Sequence, residues 1–217
     1  MALTHNIADI RKNYARHELT ENSVSKDPID QFKVWLEEAI QAEEAEPTAL
    51  VLATANASGK PSARVVLMKD VSPEGFMFFT NYISHKGREL AENPFAAMTF
   101  FWPALERQVR IEGKVSKVAP AISDSYFQSR PKGSQIGAWA SPQSAEIAGR
   151  EMLEEADRKL TAQFKDTAVI PRPDHWGGFL LQPERLEFWQ GRPNRLHDRL
   201  IYQQQENGIW KIKRLAP

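Results

Sequence analysis

Two hydrophobic periods alternate along the chain. Residues 1–26 show neither for long and read as a mobile N-terminal segment. Ile29, Phe32, Trp35, Leu36 and Ile40 then share one helical face, with Asp27 as cap and Pro28 in the first turn. Glu43, Glu44 and Glu46 oppose the dipole of that helix and predict a frayed end. From Ala49 the period becomes that of strands. Residues 49–55 and 62–70 predict a hairpin around the turn at 56–60, followed by strands at 76–80, 96–102 and 108–118. Ser84 caps a predicted short helix over 84–92. Further helices are predicted over 121–129 and, after a Ser141 cap, over 142–164. Strands return at 178–182, 186–190, 199–204 and 209–214, the last two joined at Asn207-Gly208. The pattern is mainly β with peripheral helices, an α+β chain best built as a closed or nearly closed antiparallel barrel. It reads as one domain over 27–217. No Gly-rich loop joins a strand to a helix, which argues against a Rossmann or P-loop site.

Composition narrows the chemistry. Among 217 residues, Lys+Arg is 28, Asp+Glu is 28 and Cys is absent. Zero net charge argues against a general nucleic-acid binder, which needs surplus cations to neutralise phosphates. Without thiolates there is no disulfide framework, Cys-based zinc site or Cys nucleophile. The longest apolar run, 49–53, falls far short of the roughly 20 residues that span a bilayer. The opening residues also lack a signal peptide's apolar core, and a cytoplasmic protein is expected. His5, His17, His85, His175 and His197 show no metal-binding spacing, so no metal is expected, and no G-x-S-x-G elbow appears.

Five stretches set cations beside hydrogen-bonding and aromatic residues. Arg64 and Lys69 bracket Val65, Val66, Leu67 and Met68; both could snorkel to water, or both could meet an anion. Residues 80–86, ending in Lys86, run from a strand end into a helix start, which suits either a phosphate or a plain Ser cap. Gln108 has the donor and acceptor to read a heteroaromatic edge, or sits on a solvated strand. Tyr126 and Arg130 lie four apart on a helix, with Ser134 after a Pro/Gly turn; together they suit a phosphate monoester, or form a surface packing pair. The most telling stretch is 187–199. There an extended chain would place Arg195, His197 and Arg199 on one face, a repulsive set unless an anion or a flat electron-rich ligand joins it.

The segments RVVLMK, TNYISHKGREL, FFWPALERQVRIEG, YFQSRPKGSQIGAWAS, WGGF, EFWQGRPNRLHDR and WKIKRLAP resemble the pyridoxine/pyridoxamine 5′-phosphate oxidase family, from about Arg11 to Pro217. The resemblance implies an FMN-binding split β-barrel and a homodimer with flavin at the subunit interface. It implies oxidation of pyridoxamine or pyridoxine 5′-phosphate to pyridoxal 5′-phosphate by O2, releasing H2O2, with ammonia from the amine. Carried over by position, Arg64, Val65, Val66, Leu67, Met68, Lys69, Phe79, Thr80, His85, Lys86, Gln108, Gln143, Ser144, Trp189 and Arg199 would hold FMN. Lys69, Tyr126, Arg130 and Ser134 would take the substrate phosphate. Arg195 and His197 would flank the ring as catalytic residues, and Arg11 with Tyr14 would close over it, the segment 1–26 acting as a cover. Two positions depart from the commonest pattern: His85 stands where Arg is frequent, and Phe79 where Tyr is frequent. The competing expectations are a split-barrel flavin reductase or flavin binder with another substrate, and a non-catalytic pyridoxal phosphate carrier. The first would keep the FMN residues but would not need Tyr126, Arg130, Ser134, Arg195 and His197 together; a colourless protein would favour the second.

Overall fold

A computed structural model of the chain describes residues 13–217. Helix α1 (Pro28–Gln41) starts where expected: the Asp27 carboxylate accepts the amides of Ile29 and Asp30. Ile29, Phe32 and Trp35 are buried, but Ile40 is exposed and Ala39 takes its place in the core. The helix ends at Gln41, before the three acidic residues, and the Glu44 carboxylate accepts the Ala104 amide at 2.7 Å. Strands β1 (Ala49–Ala55) and β2 (Pro61–Leu67) form the expected antiparallel hairpin, with Val51 opposite Val65. There follow β3 (Asp70–Ser72), β4 (Gly75–Asn81), α2 (His85–Glu92), β5 (Phe95–Trp102), β6 (Arg107–Lys117) and α3 (Pro120–Ser129).

Three expectations fail between here and the C-terminus. Residues 132–140 form a helix, α4 (Lys132–Ala140), in a stretch where only a Pro/Gly turn before Ser134 was expected. The next helix, α5 (Arg150–Gln163), starts eight residues later than the pattern suggests; Ser141 ends α4 instead of capping α5. The two strands expected at 178–182 and 186–190 are one, β7 (Trp176–Gln190), running unbroken through Pro183. Strands β8 (Asp198–Gln204) and β9 (Trp210–Leu215) complete the chain.

The strands make a nine-stranded sheet in the order β2-β1-β5-β6-β7-β4-β3, with β8 on β7 and β9 on β8. Strand β2 is therefore an edge, and half of its backbone amides and carbonyls face away from β1. The chain divides into two units, each with its own apolar centre. Of the described residues, one contains 13–47, Thr99–Ile111 and Arg185–Pro217. Its core sets Phe32 edge-on to Phe100 at 4.9 Å and Trp35 edge-on to Phe188 at 5.1 Å. The other contains Thr48–Met98 and Glu112–Glu184. It stacks Phe78 on Phe179, and it gathers Phe127, Ile136, Phe164, Ile170 and Trp176 beneath the helices. No helix among the described residues is long and apolar enough to cross a membrane.

Candidate functional site

The second unit holds an open cavity of about 820 Å³. Its walls include Arg64, Val65, Val66, Leu67, Lys69, Phe79, Thr80, His85, Lys86, Tyr126, Arg130, Ser134, Gln143 and Ser144. The two sets of residues expected for two phosphates thus share one cavity. Met68 does not line it: its side chain is buried in the core. Four Lys or Arg side chains line the wall and no Asp or Glu does, so a chain of zero net charge concentrates positive field here.

One cationic centre surrounds Arg64. Its Nη1 donates to the Leu52 carbonyl at 3.2 Å and to Thr54 Oγ1 at 2.5 Å, and its Nη2 donates to Ser62 Oγ and to Glu89 at 3.3 Å. Glu89, buried on α2, also accepts the hydroxyls of Thr54 and Ser62 and meets His85 Nε2 at 3.3 Å. Burial pushes its carboxyl up, but the hydroxyl bonds, the His85 charge and Arg64 outweigh this and hold it below the usual range. Lys86 comes from the first turn of the same helix. Its Nζ donates to Thr80 Oγ1 at 3.1 Å and to Gln143 Oε1 at 3.2 Å. Burial, then the nearby Arg64, lowers its pKa, so an anion entering here would restore what the ammonium has lost. Glu89 was not anticipated, although its place four residues after His85 on a helix was a readable signal.

The second centre is aromatic. Tyr126 stacks on Phe79 at 3.9 Å, and Arg130 lies over Trp176 with its Cζ 4.6 Å from the ring centroid. Burial raises the Tyr126 hydroxyl pKa against the pull of Arg130, so the group stays a neutral donor. Burial likewise lowers the Arg130 pKa, and its Nη1 is buried with no hydrogen-bond partner among the described residues. Leaving such a donor unpaired costs about 1–3 kcal/mol, more when charged, so an acceptor is called for at this point. Ser134 lies in the first turn of α4.

The cavity fits FMN by this chemistry. Arg64, Lys86 and His85 would take its phosphate, the free edge of β2 offers backbone groups to a heteroaromatic rim, and Val66 and Leu67 give apolar surface.

Gln108, Trp189, Arg195, His197 and Arg199 belong to the first unit, and none of them lines this cavity. Trp189, Arg195, His197 and Arg199 neighbour one another, together with Tyr14. Trp189 and Arg199 are cross-strand partners, and the His197 ring lies 4.6 Å from Trp189 and 6.0 Å from Tyr14. The expected common face of Arg195, His197 and Arg199 is not formed. Residues 193–195 make a tight turn in which Asn194 and Arg195 both adopt left-handed backbone, at φ 56° and 62°. The repulsion is also relieved within the chain: Arg199 is held by both oxygens of buried Glu187, at 2.8 and 3.0 Å. Burial and then Arg195 lower the His197 pKa, and its Nδ1 accepts the Arg192 amide at 3.1 Å. The neutral ring thus carries its proton on Nε2. Arg11 lies outside the described residues.

A family described as pyridoxamine 5′-phosphate oxidase matches residues 36–161, and one described as the pyridoxine 5′-phosphate oxidase C-terminal dimerisation region matches 176–217. A pyridoxine/pyridoxamine 5′-phosphate oxidase of Cyanothece sp. is 55% identical over 215 residues, 99% of this chain and 100% of that one. Another, from Ralstonia nicotianae, is 56% identical over 97% of this chain and 99% of its own. Among solved structures, PhzG from Burkholderia lata in complex with tetrahydrophenazine-1-carboxylic acid superposes with a TM-score of 0.88 at 32% identity, covering 94% of this chain and 100% of that one.

Proposed function

The chain belongs to the pyridoxine/pyridoxamine 5′-phosphate oxidase family, whose FMN-binding split barrel it shares, and from that premise we propose how its residues do the work. It is an FMN-dependent oxidoreductase of vitamin B6 metabolism. Pyridoxine 5′-phosphate and O2 give pyridoxal 5′-phosphate and H2O2; pyridoxamine 5′-phosphate, O2 and water give the same two products and ammonia. FMN, when bound, supplies the two-electron acceptor, so no protein nucleophile is required.

Arg64, Lys86 and His85 hold the flavin phosphate, with Thr80, Gln143 and Ser144 around it. The observation that carries the substrate assignment is Arg130, whose buried Nη1 has no hydrogen-bond partner among the described residues. It takes the substrate phosphate together with Lys69, Tyr126 and Ser134. Because Tyr126 stays protonated, it donates to that phosphate rather than repelling it. Arg195 presses on the substrate ring, and its guanidinium favours negative charge developing there. His197 donates from Nε2 to the ring's polar edge. Gln108, Trp189 and Arg199 contact the flavin, with Glu187 fixing the direction of Arg199. The chain is a homodimer, as its C-terminal dimerisation region implies. We place the Gln108–Arg199 group against the partner's cavity, residues 1–26 as a cover, and the enzyme in the cytoplasm.

The test is an anaerobic absorbance spectrum of the purified protein. A flavin band bleached by pyridoxamine 5′-phosphate is the expected result. A colourless protein that binds pyridoxal 5′-phosphate would point to a carrier. A flavin band untouched by either substrate would point to a flavin protein of other specificity.

A further inference from the structure

Glu106, in the turn between β5 and β6, combines two unfavourable features. Its backbone is left-handed, at φ 57°, and its carboxylate-bearing residue is only 3% exposed. A strained, buried acid persists where the surroundings compensate it. Here they do so on both sides. One carboxylate oxygen accepts the backbone amides of Ala15 at 2.9 Å and Arg16 at 3.2 Å. The main-chain carbonyl accepts the Gly191 amide at 2.8 Å and Gln190 Nε2 at 3.2 Å. One residue thus joins the N-terminal segment to the end of β7.

Tyr14 is the residue next to the fastened amides. Its ring meets Trp189 edge-on at 5.8 Å and His197 at 6.0 Å. Its Cβ rests on Gly191, where an added methyl would lie 2.7 Å away. Further along, the Leu19 amide donates to Asp198 and Arg192 donates to the His17 carbonyl. Those contacts hold the later part of the segment; the Glu106 carboxylate holds the part that aims Tyr14. Two amides converging on one oxygen form a small anion site, which a charged carboxylate fills better than a neutral acceptor.

We propose that Glu106 is a positioning residue for substrate recognition: it fastens residues 15–16 so that Tyr14 is held against Trp189 and His197. It touches no substrate itself. The proposal rests on the reading of Tyr14 and His197 as substrate residues.

The experiment uses the flavin-loaded enzyme and Glu106→Gln, which keeps the size of the side chain and removes its charge. Tryptic cleavage after Arg16, followed by mass spectrometry, should quicken by roughly tenfold, because such cleavage follows the population of the opened segment. KM for pyridoxamine 5′-phosphate should rise by about three- to tenfold with kcat near wild type, the signature of lost binding rather than lost chemistry. Flavin content and thermal midpoint should stay at wild-type values. Unchanged cleavage overturns the fastening. A fall in flavin content and thermal midpoint along with the rise in KM overturns positioning in favour of a general structural role. Faster cleavage with unchanged KM, in Glu106→Gln and in Tyr14→Ala alike, locates the error in the substrate reading of Tyr14. Should Glu106→Gln not fold, Gly191→Ala displaces Tyr14 and spares the carboxylate; it should raise KM without faster cleavage, and an unchanged KM overturns the proposal.

Discussion

Arg130 and His197 carry opposite electrostatic signatures. Arg130 is a cation held with an unpaired buried donor, so its free energy falls when an anion arrives. Arg130→Ala should therefore weaken pyridoxal 5′-phosphate binding by about 2–5 kcal/mol, the range for a desolvated charge pair. FMN affinity should change far less; fluorescence titration of each ligand separates the two, and equal losses would place Arg130 in the flavin site. His197 is held neutral, with its pKa below the ordinary histidine value of 6.5. Above that value the ring is neutral and Nδ1 stays free to accept the Arg192 amide. As pH falls through the depressed pKa, Nδ1 gains a proton and this bond is lost. The expected profile of kcat/KM thus has an acid limb below pH 6.5 that His197→Asn lacks, and an identical limb in the variant would assign it to another group.

At the scale of the element, α2 decides where the first cationic centre sits. Ser84 caps it, Gly87 lets it lie against the Tyr82 carbonyl, Lys86 then faces the cavity and Glu89 meets Arg64. A methyl at position 87 would overlap the Tyr82 and Asn81 carbonyls, which are backbone and cannot swing aside. Gly87→Ala should cost about 1–3 kcal/mol of stability, the usual penalty of overpacking. It should also loosen FMN, measured as flavin released on dialysis; full retention at wild-type stability would show that the helix has room to shift. Helix α2 was legible because its cap and length are local signals. Helix α4 was not. Its sequence, KGSQIGAWA, carries two glycines and no side-chain cap. What keeps it is tertiary: Ile136 is buried, and Gln135 Nε2 donates to the carbonyls of Phe127, Gln128 and Arg130 that end α3. Residues 142–149 look helical in composition, but Ser144 is left-handed and Gln143 is engaged with Thr80 and Lys86. Pro183 has no amide to donate, yet β7 passes through it. The residues of the cavity wall were carried over by motif, whereas the parts played by Glu89, Glu106 and Glu187 were missed. Each is a buried acid with partners on other elements, which no periodicity reveals; only the His85–Glu89 spacing was local. The turn at 193–195 did leave a trace, since Pro followed by Asn favours a turn with left-handed backbone.

The whole molecule must complete a cavity that its own first unit does not line. Gln108, Trp189, Arg195, His197 and Arg199 are absent from that wall. Meanwhile Val51 and Val65, directly opposed on β1 and β2, stay 42% and 67% exposed, a costly arrangement for an isolated chain. A second copy answers both. On this reading Arg130 acts in its own protomer's cavity and Arg195 in its partner's. Light scattering should show a dimer, and a stable flavin-loaded monomer at micromolar concentration would refute the arrangement. A sharper consequence follows from mixing two variants that are each nearly inactive. In a hybrid of Arg130→Ala with Arg195→Ala, one cavity receives both defects and the other receives none. Random pairing makes about half of the dimers hybrid, so co-expression should restore about a quarter of wild-type activity through symmetry alone. If Arg130 and Arg195 instead served one cavity within one chain, every site in the hybrid would carry one defect. Activity would then stay at the level of the separate variants.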